Sequence, residues 1–172
     1  MHLEPARPDD IPTLHALIES AYRGESARQG WSHEADLLDG QRTDTEALTD
    51  TIADPAQRLL VLRDGDRIDG CIALTDKGEG LVYVGMVTVA PDLQAGGIGR
   101  MLLAAAEDRA REDFDATRAE MTVIEQRAEL IAWYERRGYR LTGERRPFPA
   151  TDPRFGLPKR DDLAFVVLEK PL

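Results

Sequence analysis

The stretch that most constrains this chain runs from Met86 to Leu103, Met-Val-Thr-Val-Ala-Pro-Asp-Leu-Gln-Ala-Gly-Gly-Ile-Gly-Arg-Met-Leu-Leu. Val87 and Val89 are β-branched and two apart, which suits a strand, and Pro91 lacks the N–H that would continue its ladder. Beyond the glycines, Ile98, Leu102, Ala106, Ala110 and Phe114 recur every four residues, a slowly drifting apolar stripe on a helix. The helix therefore starts inside Gly96-Gly97-Ile98-Gly99, where unpaired N–H groups and the positive dipole end meet a loop free of bulky side chains. Such a corner suits a phosphate.

A P-loop needs Lys-Ser/Thr after the last glycine, whereas Arg100-Met101 stands here. A dinucleotide fingerprint needs a third glycine where Leu102 stands. What the residues do form is Gln94-x-x-Gly97-x-Gly99 after a Val-x-Val-x-Pro strand end, which resembles the acyl-CoA-binding motif of the GNAT superfamily of N-acetyltransferases. An ordinary strand-to-helix turn, with glycines for tightness alone, is the alternative. A second motif follows in the right order: Trp133-Tyr134-x-x-x-Gly138-Tyr139 resembles the Phe/Leu-Tyr-x-x-x-Gly-Phe part of the GNAT signature Ala-x-x-Phe/Leu-Tyr-x-x-x-Gly-Phe, with Leu130 where the signature has its alanine. The resemblance spans Leu3 to about Leu168 and is generic outside these two segments.

It implies an α/β (α+β) GNAT fold, a mixed and mostly antiparallel sheet of six to seven strands flanked by helices and splayed at the central strand. It also implies acetyl-CoA as co-substrate. The CoA pyrophosphate would lie on Gln94, Ala95, Gly96, Gly97, Ile98, Gly99 and Arg100, and the pantetheine arm would pair along Val87, Thr88 and Val89. The amide at Val87 or Val89 would face the oxyanion, and Tyr134 would protonate the departing thiolate. A core tyrosine is the plain alternative for Tyr134. One departure stands out: where family members often carry an asparagine, seven residues before the tyrosine, this chain has Arg127, which is then free to approach a phosphate.

The acceptor side is less defined. Gly24 to Arg42 has no clean period but gathers Trp31, His33, Glu34 and Asp36. In the family this segment commonly walls the acceptor pocket, so Trp31, Glu34 and Asp36 are candidate contacts for an amine; a surface helix with solvated acids is the alternative. A metal would need a second histidine at ligand spacing, and none is present. An alkylammonium (pKa about 10.4 for a lysine-like amine) must lose a proton before it attacks, so a base or a water path is required. Glu34 is the favoured base, with Glu79, Glu120 and Glu125 as alternatives. The expected reaction is acetyl transfer to a primary amine of a small molecule or peptide. A transferase using another acyl-CoA, or a CoA-binding sensor that kept the fold without turnover, would carry the same motifs.

Elsewhere the chain predicts a strand over His2–Arg7, a helix from Ile11 to Tyr22 opened by Asp9 or Asp10, and a helix capped by a Thr43-x-x-Glu46 box. A strand pair turns at Asp64-Gly65-Asp66, and Leu81 to Val89 reads as a central strand covered on both faces. Strands are also expected over Ala119–Ile124, Tyr139–Glu144 and Leu163–Leu168. Pro147, Pro149, Pro153 and Pro158 argue against ladder pairing in 145–161, a connection whose Phe148 or Phe155 could overhang the pocket. With 172 residues and no Ser/Gly linker, one domain over 1–172 is expected. No run approaches ~20 apolar residues, the N-terminus lacks a signal pattern, and the single Cys71 has no partner, so a cytoplasmic location is expected. A formal charge of −10 argues against nucleic acid and for cationic acceptors. Homodimers are common enough to expect one.

Overall fold

The computed structural model describes residues 1–172. Nine strands and five helices follow one another as β1 (His2–Pro5), α1 (Ile11–Tyr22), α2 (Gly24–Ala27), β2 (Leu38–Asp39), α3 (Thr45–Ala53), β3 (Gln57–Asp64), β4 (Arg67–Asp76), β5 (Leu81–Val89), α4 (Ile98–Phe114), β6 (Arg118–Ile124), α5 (Ala128–Glu135), β7 (Arg140–Pro147), β8 (Leu157–Pro158) and β9 (Ala164–Pro171). Seven strands form one sheet in the order β1-β3-β4-β5-β6-β9-β7, and β2 pairs with β8 apart from it. Every neighbouring pair is antiparallel except β5 and β6.

Leu59-Leu60-Val61-Leu62 explains the layering. Leu60 and Leu62 enter a core beneath α4 with Ile72, Leu74, Leu102 and Ala106, while Leu59 and Val61 enter a second core with Leu14, Ile18 and Leu48. A strand covered on both faces needs this unbroken apolar run. β5 departs from the same expectation: Val82 and Val84 are buried, whereas Tyr83 and Gly85 are half-buried and line a cavity. Helix α4 buries Leu102, Ala106 and Ala110 of the expected stripe, leaves Ile98 and Phe114 half-buried at its two ends, and buries Leu103 and Glu107 besides. Glu107 accepts hydrogen bonds from the Tyr139 hydroxyl at 3.0 Å and from Lys170 Nζ at 2.6 Å, which satisfies a carboxylate only 5% exposed.

Two local expectations are corrected. Asp44, not Thr43, caps α3: its carboxylate accepts from the Ala47 N–H at 2.7 Å, while the Thr43 N–H is taken by Glu19 Oε1. Ladder pairing also runs into the proline-rich connection, with Arg145, Arg146 and Pro147 opposite Val166, Phe165 and Ala164. Proline is tolerated there because β7 is the outermost strand and Pro147 its last residue. Leu157 and Pro158 then pair with Asp39 and Leu38, which holds the connection against the segment after α2.

The feature that positions the site lies mid-sheet. β5 and β6 pair only at Leu81, Val82 and Tyr83, opposite Arg118, Ala119 and Glu120, although both strands continue beyond. Past Tyr83 they diverge. On the other edge of β5 the register with β4 slips between Cys71 and Ala73, and Met86 in that bulge takes φ +55°.

Candidate active site

At the N-terminus of α4, Gly97 has φ +82° and Ala95 φ +72°, so the loop turns sharply and without a side chain at Gly97. The first bond within the helix runs from Met101 N–H to Gly97 O at 3.1 Å, which leaves the N–H groups of Ile98, Gly99 and Arg100 without helical acceptors. A cavity of about 170 Å³ opens beside them, lined by Val87, Val89, Ala95, Gly97, Gly99, Arg100, Trp133 and Tyr134 among others. Arg137 completes it, its guanidinium lying 3.5 Å from the Trp133 ring centroid and donating to Trp133 O at 2.6 Å. Burial, followed by the like charges of Arg136 and Arg100, lowers the Arg137 pKa. Two cations held together beside free amides suit a polyanion.

A second cavity of about 480 Å³ fills the gap between β5 and β6, bounded by Tyr83, Gly85, Thr122 and Val123 and overhung by Phe148, Pro149 and Phe155. Only Val87, Leu130 and Tyr134 line both cavities. The Tyr134 ring is 6% exposed and packs edge-on against Trp133 and Tyr139, with centroids 5.0 and 5.9 Å away. Burial, then the nearby Tyr22, pushes its phenol well above the ordinary tyrosine value, so the proton stays on. Across the gap, the Tyr22 hydroxyl donates to Val87 O at 2.5 Å and braces the bulged strand.

Several candidates lie elsewhere than the sequence suggests. Gln94 does line the loop cavity, but its side chain is occupied as a clamp: its Oε1 accepts from the N–H of Trp31 at 2.9 Å and of Ser32 at 3.3 Å, and its Nε2 donates to Val89 O at 3.1 Å. Thr88 is 1% exposed and lines neither cavity, its hydroxyl donating to Met86 O. Gly96 and Ile98 also stay off the cavity walls, Ile98 packing on the core. Arg127 lines the larger cavity, not the glycine-loop cavity, and donates to Ser32 O at 2.5 Å while pairing with Glu34 at 3.5 Å. Trp31 stands beside Trp133 in the loop cavity, with centroids 6.0 Å apart. Asp36 lies outside both cavities and binds Arg28, whose guanidinium lowers its pKa.

Glu34 does line the larger cavity, yet its oxygens already accept from Arg23 at 2.5 Å and face Arg127. Among the alternatives, Glu120 binds Arg146, Glu125 binds Arg145, and Glu79 sits in a turn at φ +54°. Cys71 is fully buried, and burial pushes its thiol up to about 12, so it is no nucleophile. The residues that sequence reasoning passed over are Trp133 and Arg137 in the loop cavity, and Tyr22, Arg23 and Arg42 in the larger one. Only the Trp133–Arg137 spacing of four, one helical turn, was there to find in the sequence.

Residues 22–148, more than half of the chain, match the acetyltransferase (GNAT) domain family. The chain belongs to the GNAT acetyltransferase family. Its fold is shared with the ribosomal-protein-alanine N-acetyltransferase of Brucella melitensis, at 19% identity over 100% of both chains with a TM-score of 0.71. An IAA acetyltransferase from Bacillus cereus aligns at 17% identity over 99% of both chains, with a TM-score of 0.67. A GNAT family acetyltransferase from Elizabethkingia anophelis with acetyl-CoA bound aligns at 19% identity over 74% of this chain and 82% of its own, with a TM-score of 0.62. For a GNAT enzyme the co-substrate is acetyl-CoA, and this chain fits it: the amides of residues 98–100 and the Arg100 and Arg137 guanidiniums answer a diphosphate, and the unpaired edge of β5 answers an amide-bearing arm. No helix is long and apolar enough to cross a membrane.

Proposed function

We propose that residues 1–172 form one cytoplasmic domain, in a homodimer, that transfers an acetyl group directly from acetyl-CoA to a primary amine of a small molecule or peptide. The observation carrying the proposal is that Tyr134 and Val87 stand where the two cavities meet. The loop cavity holds the cofactor end, with its diphosphate on the amides of Ile98, Gly99 and Arg100. The larger cavity holds the acceptor. Acetyl-CoA, when bound, supplies an electrophilic thioester carbonyl and a thiolate leaving group.

At the junction, backbone N–H groups of the bulged β5 near Val87 serve as donors toward the carbonyl oxygen. The C–N bond forms as the C–S bond breaks, and the buried Tyr134 hydroxyl gives its proton to the departing sulfur. The proton lost by the attacking ammonium leaves through water in the open cavity, and Tyr134 is reprotonated by the same route. Glu34 anchors Arg23 and Arg127 and takes no part as a base.

Release of free CoA thiol, followed across a panel of amines with mass spectrometry of the products, tests this. Tyr134→Phe is expected to lower kcat about 100-fold, the usual scale of general acid catalysis, while acetyl-CoA affinity measured by calorimetry changes by less than about twofold. Thiol release from no amine, alongside tight acetyl-CoA binding, would instead identify a sensor.

A further inference from the structure

The larger cavity is cationic in a chain of formal charge −10. Its walls carry three guanidiniums, those of Arg23, Arg42 and Arg127, and a single carboxylate, Glu34. Arg23 and Arg127 share that carboxylate. Arg23 is only 6% exposed, and its Nε is buried with no hydrogen-bond partner. Its Nη2 makes one long contact, 3.4 Å to Phe155 O. Arg42 has no carboxylate partner at all: its guanidinium lies over the Tyr22 ring, 5.1 Å from the centroid, and its N–H donors make no hydrogen bond within the chain. The Arg42 backbone N–H is held by Glu19 Oε1 at 2.8 Å, which fixes the chain that carries this guanidinium. Three guanidiniums facing one carboxylate leave the cleft with surplus positive charge, which is unfavourable unless an anion completes the site.

The geometry points to an acceptor that carries its own carboxylate, so that the substrate class is an amino acid or a closely similar amino carboxylate, its carboxylate on Arg42 and Arg23 and its amine toward Val87 and Tyr134. It presupposes the acetyl transfer proposed above. A planar, two-pronged donor matches a carboxylate on both oxygens. Tyr22 sets the spacing, since one ring carries Arg42 on its face and reaches Val87 O with its hydroxyl. One tyrosine side chain is a short span, suited to an amine and a carboxylate on the same or neighbouring carbons. Phe148 and Phe155, which also line the cavity, offer apolar surface to a side chain.

The proteinogenic amino acids, each paired with the amine left by removing its carboxyl group, are the probes. Two readouts are taken with the whole protein: CoA thiol release from acetyl-CoA, and the melting temperature in the presence of CoA. The expected result is that kcat/KM for the preferred amino acid exceeds that of its decarboxylated partner by about tenfold or more, the scale of a charge-assisted hydrogen bond. Arg42→Gln is expected to remove that preference mainly through KM, and Arg42→Lys to restore part of it. Equal or better turnover of the decarboxylated partners overturns the carboxylate subsite while leaving acetyl transfer intact. Thiol release from none of the probes, together with a melting-temperature rise that needs the carboxylate and disappears in Arg42→Gln, upholds the subsite and ends the acetyltransferase assignment of this cavity. A rise from no carboxylate probe, without turnover of any, overturns the subsite.

Discussion

Gly97 holds φ +82°, and a Cβ built there meets nothing within 4 Å. The glycine is therefore required by backbone conformation and by what must approach it, not by crowding within the chain. Gly97→Ala is expected to cost about 1 kcal/mol of stability, the usual penalty at a left-handed position. Gly97→Glu is expected to abolish acetyl-CoA binding in calorimetry, because it puts a negative side chain where the diphosphate is proposed to lie. Unchanged affinity in Gly97→Glu would refute the loop assignment. The left-handed turn at Gly97 and the helix that carries Tyr134 could be read from sequence because each depends on neighbours close in the chain. Gln94, Trp31 and Arg127 could not, because their partners are remote: the Gln94 amide binds Trp31 and Val89, and Arg127 reaches Ser32.

Helices α1 and α4 and the central strands were legible because their apolar periods have one physical solution. What escaped was set by pairing between elements. The bulge of β5 is invisible in Val-Gly-Met-Val, since it exists only against β4. Proline content likewise concealed the end of β7, whose outermost position spares it the need for an N–H. The β4–β5 contact also carries a prediction. At Gly70 a Cβ would stand 2.6 Å from Thr88 O, a backbone atom that cannot move aside. Gly70→Ala should therefore destabilise by about 1–3 kcal/mol, seen as a lower melting temperature, and weaken acetyl-CoA binding because Thr88 lies between Val87 and Val89. A variant with the parent melting temperature would show that the two strands are free to separate there.

Across the whole molecule, net charge does not describe the cleft: the chain carries a formal −10, whereas the cavity lining gathers three arginines and one carboxylate. Charge also governs behaviour at high pH. Tyr22, Tyr134 and Tyr139 are buried, and burial pushes all three phenols up, with Glu107 adding to the effect at Tyr139. The native state keeps protons that the unfolded chain releases near pH 10. Stability from these phenols is therefore complete below about pH 10 and is lost progressively above it. Melting temperature is expected to hold through pH 9 and to fall steeply by pH 11, with a shallower fall in Tyr139→Phe; a level profile to pH 11 would contradict it.

The parting of β5 from β6 after three residue pairs has one more consequence. Most sheets expose their unpaired main-chain groups at the outer rim, where another molecule's strand can zip on and seed aggregation. This sheet opens a second such edge in its own interior, between layers of side chains. Slender, flexible guests can lie along it, but a folded neighbour cannot, so recognition through backbone hydrogen bonds is separated from the hazard of self-assembly.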